Sequence, residues 1–461
     1  AQVTSDGVPY AYGWLDDLRQ LSTAFGIPQL AQQQISTKPH EIYQTPNSES
    51  INGANMTDRE YDIAALTLTI DTDFGTIKSI TASQEFYDQF NVDRDGTAAL
   101  LFDTFDITET ETFTQELNLN IEREGMSLVF GGYYMDDETA RHTHFDNAEP
   151  MLGFPFPSQF DFKHLKMNLE STAFFADGTF DISDQTSLSM GIRRTNDEFT
   201  NQQDNYVSLV IPGVGSTIAA QTCLRETTKE YDSTTSRVVL QRSLSEGSNV
   251  YASISEGFKA GGYATYECAD SYAPEEVTSF EVGFKGDLSA NTTMNAALFR
   301  YDYSDFQVLQ VVGIQTVTRN AGDATVNGLE IEALSSISDT LIVNYGFTWL
   351  DATYGDFMNT NGLLPQLGDQ QLEGNILSNA PKISINLGLN YSTLLESGSS
   401  LTLRANAAYK SKVYFSEFND FSQDKYTIVD FNAIWENADE TLRTRLFIKN
   451  ASDEEYLSGY L

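Results

Sequence analysis

Along much of the chain, apolar and polar residues take turns with a period of two. Between 383 and 391, Ile383, Ile385, Leu387, Leu389 and Tyr391 alternate with Ser384, Asn386, Gly388 and Asn390. Leu401, Leu403, Ala405, Ala407 and Tyr409 alternate with Thr402, Arg404, Asn406 and Ala408. Leu442, Thr444, Leu446 and Ile448 do so with Arg443, Arg445, Phe447 and Lys449. Such a period marks a β-strand with two unlike faces. The pattern predicts sixteen strands, near 61–71, 76–90, 110–122, 127–138, 169–182, 186–198, 236–244, 250–261, 278–287, 292–310, 319–335, 340–354, 383–393, 400–415, 426–436 and 442–452. Their connections fall into two classes that strictly alternate. One class has hairpin-turn composition, as in Thr72-Asp73-Phe74-Gly75, Arg123-Glu124-Gly125 and Glu396-Ser397-Gly398-Ser399. The other is mostly long, as in 139–168, 199–235 and 355–382. Short turns on one side and long loops on the other are the signature of an all-β, transmembrane antiparallel barrel.

Length and composition leave that expectation in place. A soluble chain of 461 residues would divide into two or three domains, yet no linker or composition shift interrupts the strand repeat. No apolar run reaches the roughly 18–20 residues of a transmembrane helix, whereas a barrel strand needs only about 9–11. A half-polar wall of that kind fits a mean hydropathy of -0.32. The net charge of -39 argues against a nucleic-acid surface and reads as solubility of large exposed loops, with a divalent-cation role as the alternative. Tyr133 with Tyr134, Phe299 with Tyr301 and Tyr303, Phe347 with Trp349, and Tyr414 with Phe415 stand near predicted strand ends, where rings at lipid headgroup level are expected. No secretory leader opens the chain at Ala1-Gln2-Val3-Thr4, as expected of a processed or incomplete exported protein.

Motifs narrow the class. Glu256, Gly257, Phe258, Lys259, Gly261 and Gly262 close one predicted strand, and Pro274, Glu275, Glu281, Gly283 and Lys285 open and fill the next. The glycine pair would let the chain bend, while Glu281 and Lys285 would face a lumen from a strand whose lipid face is Phe280, Val282 and Phe284. Asn320-Ala321-Gly322 precedes a strand carrying Gly328, Glu330 and Glu332. Pro381 opens another, and Lys449-Asn450-Ala451-Ser452-Asp453-Glu454-Glu455-Tyr456 ends the series. In this order the motifs resemble the barrel of TonB-dependent receptors, the active importers of the Gram-negative outer membrane. The resemblance implies one barrel domain over 1–461, sixteen strands of a twenty-two-stranded whole, with the plug domain and barrel ends outside this sequence. It implies three partners: a small nutrient, most often a ferric siderophore; a TonB-type energy-transducing protein acting through the plug; and outer-membrane lipid. No cofactor and no catalytic role are expected. A passive porin is the alternative, and an outer-membrane enzyme or adhesin a third.

Other chemistry is sparse. Cys223 and Cys268 lie in neighbouring loops flanking one hairpin and are expected to pair, since export favours oxidation. His142-Thr143-His144 with Asp146 offers imidazole and carboxylate, but in a chain with four histidines the default is solvated loop residues and no metal site. Asn91-Val92-Asp93-Arg94-Asp95-Gly96 starts like a calcium loop but places Phe102 where a bidentate Glu belongs. Gly213-Val214-Gly215-Ser216 lacks the third glycine of a dinucleotide loop.

Overall fold

The computed structural model describes residues 56–93, 102–147, 158–211, 215–264, 268, 271–312, 315–361 and 367–457. The strands are β1 (Met56–Thr72), β2 (Gly75–Asp93), β3 (Phe102–Arg123), β4 (Met126–Asn147), β5 (Ser158–Ser183), β6 (Thr186–Ile211), β7 (Gly215–Ser245), β8 (Ser248–Lys259), β9 (Gly262–Tyr263), β10 (Ser271–Tyr272), β11 (Glu275–Ser289) and β12 (Thr292–Ser304). They continue as β13 (Gln307–Val312), β14 (Gln315–Asn320), β15 (Ala324–Ser338), β16 (Leu341–Tyr354), β17 (Met358–Thr360), β18 (Asp369–Gln371), β19 (Ile383–Leu394), β20 (Ser400–Lys410), β21 (Val413–Tyr414), β22 (Ser422–Gln423), β23 (Tyr426–Glu436) and β24 (Arg443–Ile448). Sixteen of them form one antiparallel sheet in the order β1-β2-β3-β4-β5-β6-β7-β8-β11-β12-β15-β16-β19-β20-β23-β24. Every predicted strand has its counterpart there. The remaining eight form four two-stranded hairpins: β9 with β10, β13 with β14, β17 with β18, and β21 with β22.

Two of the expected loops are not loops. Segments 139–168 and 199–235 continue the strands on either side of them, pairing residue by residue as far as Asn147↔Ser158 and Ile211↔Gly215. β7 alone runs 31 residues, roughly 100 Å of strand, against the 9–11 residues or so that a membrane crossing takes. These extensions are mostly polar on both faces, with apolar residues such as Phe145, Phe162 and Val207 scattered among them, so hydrophobic periodicity fades although backbone pairing does not. The expected single strand 292–310 is also broken, because Asp305 adopts φ 52° and the chain turns into the β13–β14 hairpin.

Directly opposed residues in an antiparallel pair share a face. On one face, Tyr345, Leu387 and Ala407 follow in register, as do Val343, Leu389 and Ala405, and Ala433 opposes Leu446. The other face carries Asn344, Gly388 and Asn406 in one row and Asn390, Arg404 and Asn432 in the next. The aliphatic face is the one suited to lipid and the amide and charged face to a polar lumen. The same parity places Phe280, Val282, Ile254 and Leu298 outward. It also corrects the reading of several aromatics: Phe299 opposes Glu281, so Phe299, Tyr301 and Tyr303 line the lumen, while Phe347 opposes Ile385 and belongs to the lipid face with Trp349. Close-packed apolar burial is concentrated at the loop end of β12–β16, where Val308, Ala321, Ala352, Tyr354, Phe357, Leu372 and Leu377 form a small core.

Candidate functional site

On the lumen face of β8, β11, β12 and β15, the motif residues form a packed unit. Tyr251 opposes Gly283, and a Cβ on residue 283 would meet the tyrosine ring at 2.5 Å. Without one, the ring lies flat over the backbone, its hydroxyl donates to Glu281 Oε1, and Lys285 Nζ sits 4.9 Å from the ring centroid. One strand to the side, Gly328 opposes Phe299 in the same way, with a hypothetical Cβ 2.2 Å from the ring tip, and Phe299 stacks on Tyr301 at 4.8 Å. Glu330 lies two positions on from Gly328 and shares its face. A glycine opposite an aromatic thus keeps the lumen lining flat and polar at Tyr251-Glu281-Lys285.

At the loop end, the other motif residues tie strand ends together. Asn320 accepts the Ala273 amide on Oδ1 at 2.7 Å and donates through Nδ2 to the carbonyls of Ala273 and Asp305 at 2.9 and 2.8 Å. Glu275, following Pro274, accepts the Gln307 amide at 2.7 Å, and Gln307 Nε2 donates to the carbonyls of Ala260 and Ala273. Gly322 passes so close to the Asp356 carbonyl that a Cβ would lie 1.8 Å from its oxygen. Beside it opens a polar cleft of about 470 Å³ between Arg319, Asn320, Asn359 and Asp369. Pro381 lies between Asn379, whose amide donates to the Tyr414 carbonyl, and Lys382, whose carbonyl accepts from Leu350. Glu256 accepts from the Ser236 amide and hydroxyl, while Gly257, Phe258 and Lys259 pair with Val277, Glu276 and Glu275. Gly261 and Gly262 do not provide a bend through positive φ. They provide space, since Cβ atoms there would meet the Tyr272 carbonyl oxygen at 2.5 Å and the Tyr272 hydroxyl at 2.6 Å. Gln307 and Tyr231, which donates to the Tyr272 carbonyl at 3.1 Å, were not marked by any sequence pattern.

Above the membrane, the inward face of β3–β7 is buried and largely polar, with Phe145 packed edge-on against Phe162 within it. Arg141 donates to Asp106 Oδ2 at 2.9 and 3.1 Å, and Thr143 donates to the same oxygen. His164 Nδ1 is 2.8 Å from Asn201 Oδ1, and Asn201 Nδ2 and Asn205 Oδ1 are buried with no bond. Part of this face is covered by the segment after β8: Gln203 donates to the Ala264 carbonyl and Phe199 packs on Tyr263. Cys223, opposite Asn205 on β7, is bonded to Cys268 with Cα atoms 5.3 Å apart, anchoring that segment to the wall. On the outward face of β4 and β5, Asp161 lies within hydrogen-bond distance of both neighbouring histidines, whereas the side chain of Asp146 lies outside the described residues. Burial opposes ionisation of Asp161, but hydrogen bonds from His142 and His144 outweigh it and hold the carboxyl below its ordinary range. Residues 94–101 and 212–214, which complete the calcium-like and glycine-rich stretches, lie outside the described residues.

A wall of sixteen long antiparallel strands, apolar outside and polar within, with tight turns at one end and tall extensions at the other, defines an outer-membrane β-barrel protein. The chain belongs to the TonB dependent receptor-like β-barrel family, which it matches over residues 3–451. That family consists of outer-membrane receptors and not of enzymes. Among curated relatives, the chain is 31% identical over 190 residues to the "Probable TonB-dependent siderophore receptor PiuA" of Acinetobacter baumannii, covering 40% of this chain and 24% of that one. It is 23% identical over 344 residues to the "Pesticin receptor" of Yersinia enterocolitica, covering 73% and 46%. The solved ferric yersiniabactin uptake receptor FyuA from Yersinia pestis shares the fold with TM-score 0.69 at 19% identity, covering 88% of this chain and 58% of that one. The chain therefore spans between a quarter and three fifths of the length of these proteins.

Proposed function

We propose that the chain is the wall of an active importer that captures a ferric siderophore beneath the β3–β7 extensions and releases it past a plug domain pulled by a TonB-type protein. The observation that carries this reading is the inward face of those extensions, a buried polar surface bearing Arg141-Asp106, His164, Asn201 and Asn205. Arg141, whose side chain is 32% exposed, can hydrogen-bond a polar chelate, the buried groups hold the polar wall behind it, and this face stands at the loop end, where an external ligand arrives first. Relatives named as siderophore and ferric-yersiniabactin receptors support the class of cargo. In this reading, residues 1–461 are barrel, and the motif residues Glu256, Gly261, Gly262, Pro274, Glu275, Glu281, Gly283, Lys285, Asn320, Gly322, Gly328, Glu330 and Pro381 shape the wall and rim and do not grip ligand.

The test is growth of a strain lacking this receptor on iron-restricted medium, complemented with the full-length gene and fed ferric siderophores of different chemical classes. Rescue by one class, abolished when the TonB-type protein is deleted, is the expected result. Uptake that persists without the energy-transducing protein returns the passive porin.

The Cys223–Cys268 bond belongs to the same proposal, as the anchor that keeps the segment after β8 against β6 and β7. Export into an oxidising compartment favours it. Mass spectrometry of non-reduced receptor is expected to recover the Cys223 and Cys268 peptides cross-linked, and two free thiols would refute the anchor.

A further inference from the structure

His142 and His144 take no part in the import reading, because they sit on the outer face of the wall, turned away from the vestibule. Two positions apart on β4, they share a face, and β5 places Asp161 directly opposite His144. Asp161 Oδ1 lies 2.8 Å from His142 Nε2 and 3.0 Å from His144 Nδ1. The three potential ligand atoms all fall within 4.8 Å of one another. Lys163, which opposes His142, is drawn toward the Tyr206 ring at 5.1 Å and leaves the carboxylate to the imidazoles. The side chain of Asp161 is 8% exposed and those of the histidines 34% and 20%, so the carboxylate is held in place while the ring edges remain reachable from solvent.

We propose that His142, His144 and Asp161 bind a divalent transition-metal ion of the zinc class, which clips β4 to β5 above the membrane. Ligand chemistry selects the ion: two imidazoles and one carboxylate suit zinc, copper or nickel, whereas calcium and magnesium prefer all-oxygen sites. Geometry permits it, since bonds of about 2.0–2.1 Å in a tetrahedral site separate ligand atoms by about 3.3–3.4 Å. The nitrogen to oxygen distances of 2.8 and 3.0 Å open by about 0.3–0.6 Å as the ion replaces the shared protons, and side-chain rotation brings the two nitrogens, within 4.8 Å of one another, to the same separation. Three protein ligands leave the fourth position to water. Position sets the role. His142 stands sixteen residues beyond Met126, roughly 50 Å along the strand and past the hydrocarbon. An ion there bridges neighbouring strands at the base of the β4–β5 tip and does not meet cargo on the vestibule side.

The experiment is zinc titration of the untagged full-length receptor in detergent after chelator stripping, followed by calorimetry. Wild type and Glu138→Gln, which removes a carboxylate paired with Lys166 lower on the same wall, are expected to share a zinc-binding step that is at least tenfold weaker in His142→Gln/His144→Gln and in Asp161→Asn. Heat-modifiable gel migration checks that each variant keeps its barrel. As a second readout, cobalt substituted for zinc should give an intense visible band of tetrahedral type in wild type and lose it in both site variants. Zinc binding of equal affinity and stoichiometry in all four proteins, or no zinc binding by folded wild type, overturns the proposal. Neither outcome bears on siderophore uptake, which the growth test addresses separately.

Discussion

Leu403→Arg is expected to lower the stability of the membrane-inserted wall by about 2–4 kcal/mol, the range for a cation placed toward the midplane of the lipid face. Leu403 opposes Tyr391 on β19 and Ala433 on β23, so neither flanking residue on its face carries a carboxylate to neutralise a guanidinium. Asn406→Asp, three residues on and on the opposite face, is the control. Its new charge points to the lumen, next to Asp430 and Gly388, where a directly opposed like charge costs about 0.2–1 kcal/mol. Reversible denaturant titration into liposomes measures both. If Asn406→Asp were the more damaging change, the two faces would have to be exchanged and the lipid-facing reading of the leucines abandoned.

Asn320→Ala is expected to loosen the rim by about 3 kcal/mol. Three hydrogen bonds are lost at about 1 kcal/mol each, and the Ala273 and Asp305 backbone groups they satisfied face whatever water can reach them. The loss is local, because the β11–β12 and β12–β15 ladders do not depend on this side chain. Hydrogen exchange should therefore accelerate by roughly a hundredfold for amides in 271–275 and 305–322 and stay unchanged in 292–300. Asn320→Asp keeps the acceptor and loses the donor, and should fall between wild type and alanine. Uniform acceleration across the wall would mean that Asn320 supports the whole sheet and not just the junction.

Legibility followed the membrane. Within the hydrocarbon each strand has one face in lipid, so Ile385, Leu387 and Leu389 must alternate with polar partners, and the strand count and turns could be read directly. In β5–β7 above the membrane neither face needs to be apolar. Segments such as Thr200-Asn201-Gln202-Gln203 therefore read as loop, although they pair in register with β7. The break at Asp305 was invisible for the opposite reason: apolar residues continue through Val308, Leu309, Val311 and Val312 while a single positive φ turns the chain. For the site residues, the motifs marked Asn320, Glu275 and Gly283 as special. Their tasks became clear only with their partners Ala273, Gln307 and Tyr251, which lie 47, 32 and 32 residues away along the chain.

Period-two patterning, turn chemistry and the absence of an apolar run long enough for a spanning helix were enough to determine an all-β transmembrane wall of sixteen strands, because lipid dictates the side-chain pattern wherever it touches the chain. Tertiary structure alone decided what cross-strand register controls. It turned Phe299 and Tyr301 toward the lumen, brought Asp161 from the neighbouring strand to the two histidines, and joined Asn320 to Ala273 and Asp305. A hydrogen-bonded ladder can pair any polar residue with any other, so composition leaves those partnerships open. Only the register of neighbouring strands, pinned by their turns and lipid-facing rows, selects which residues meet.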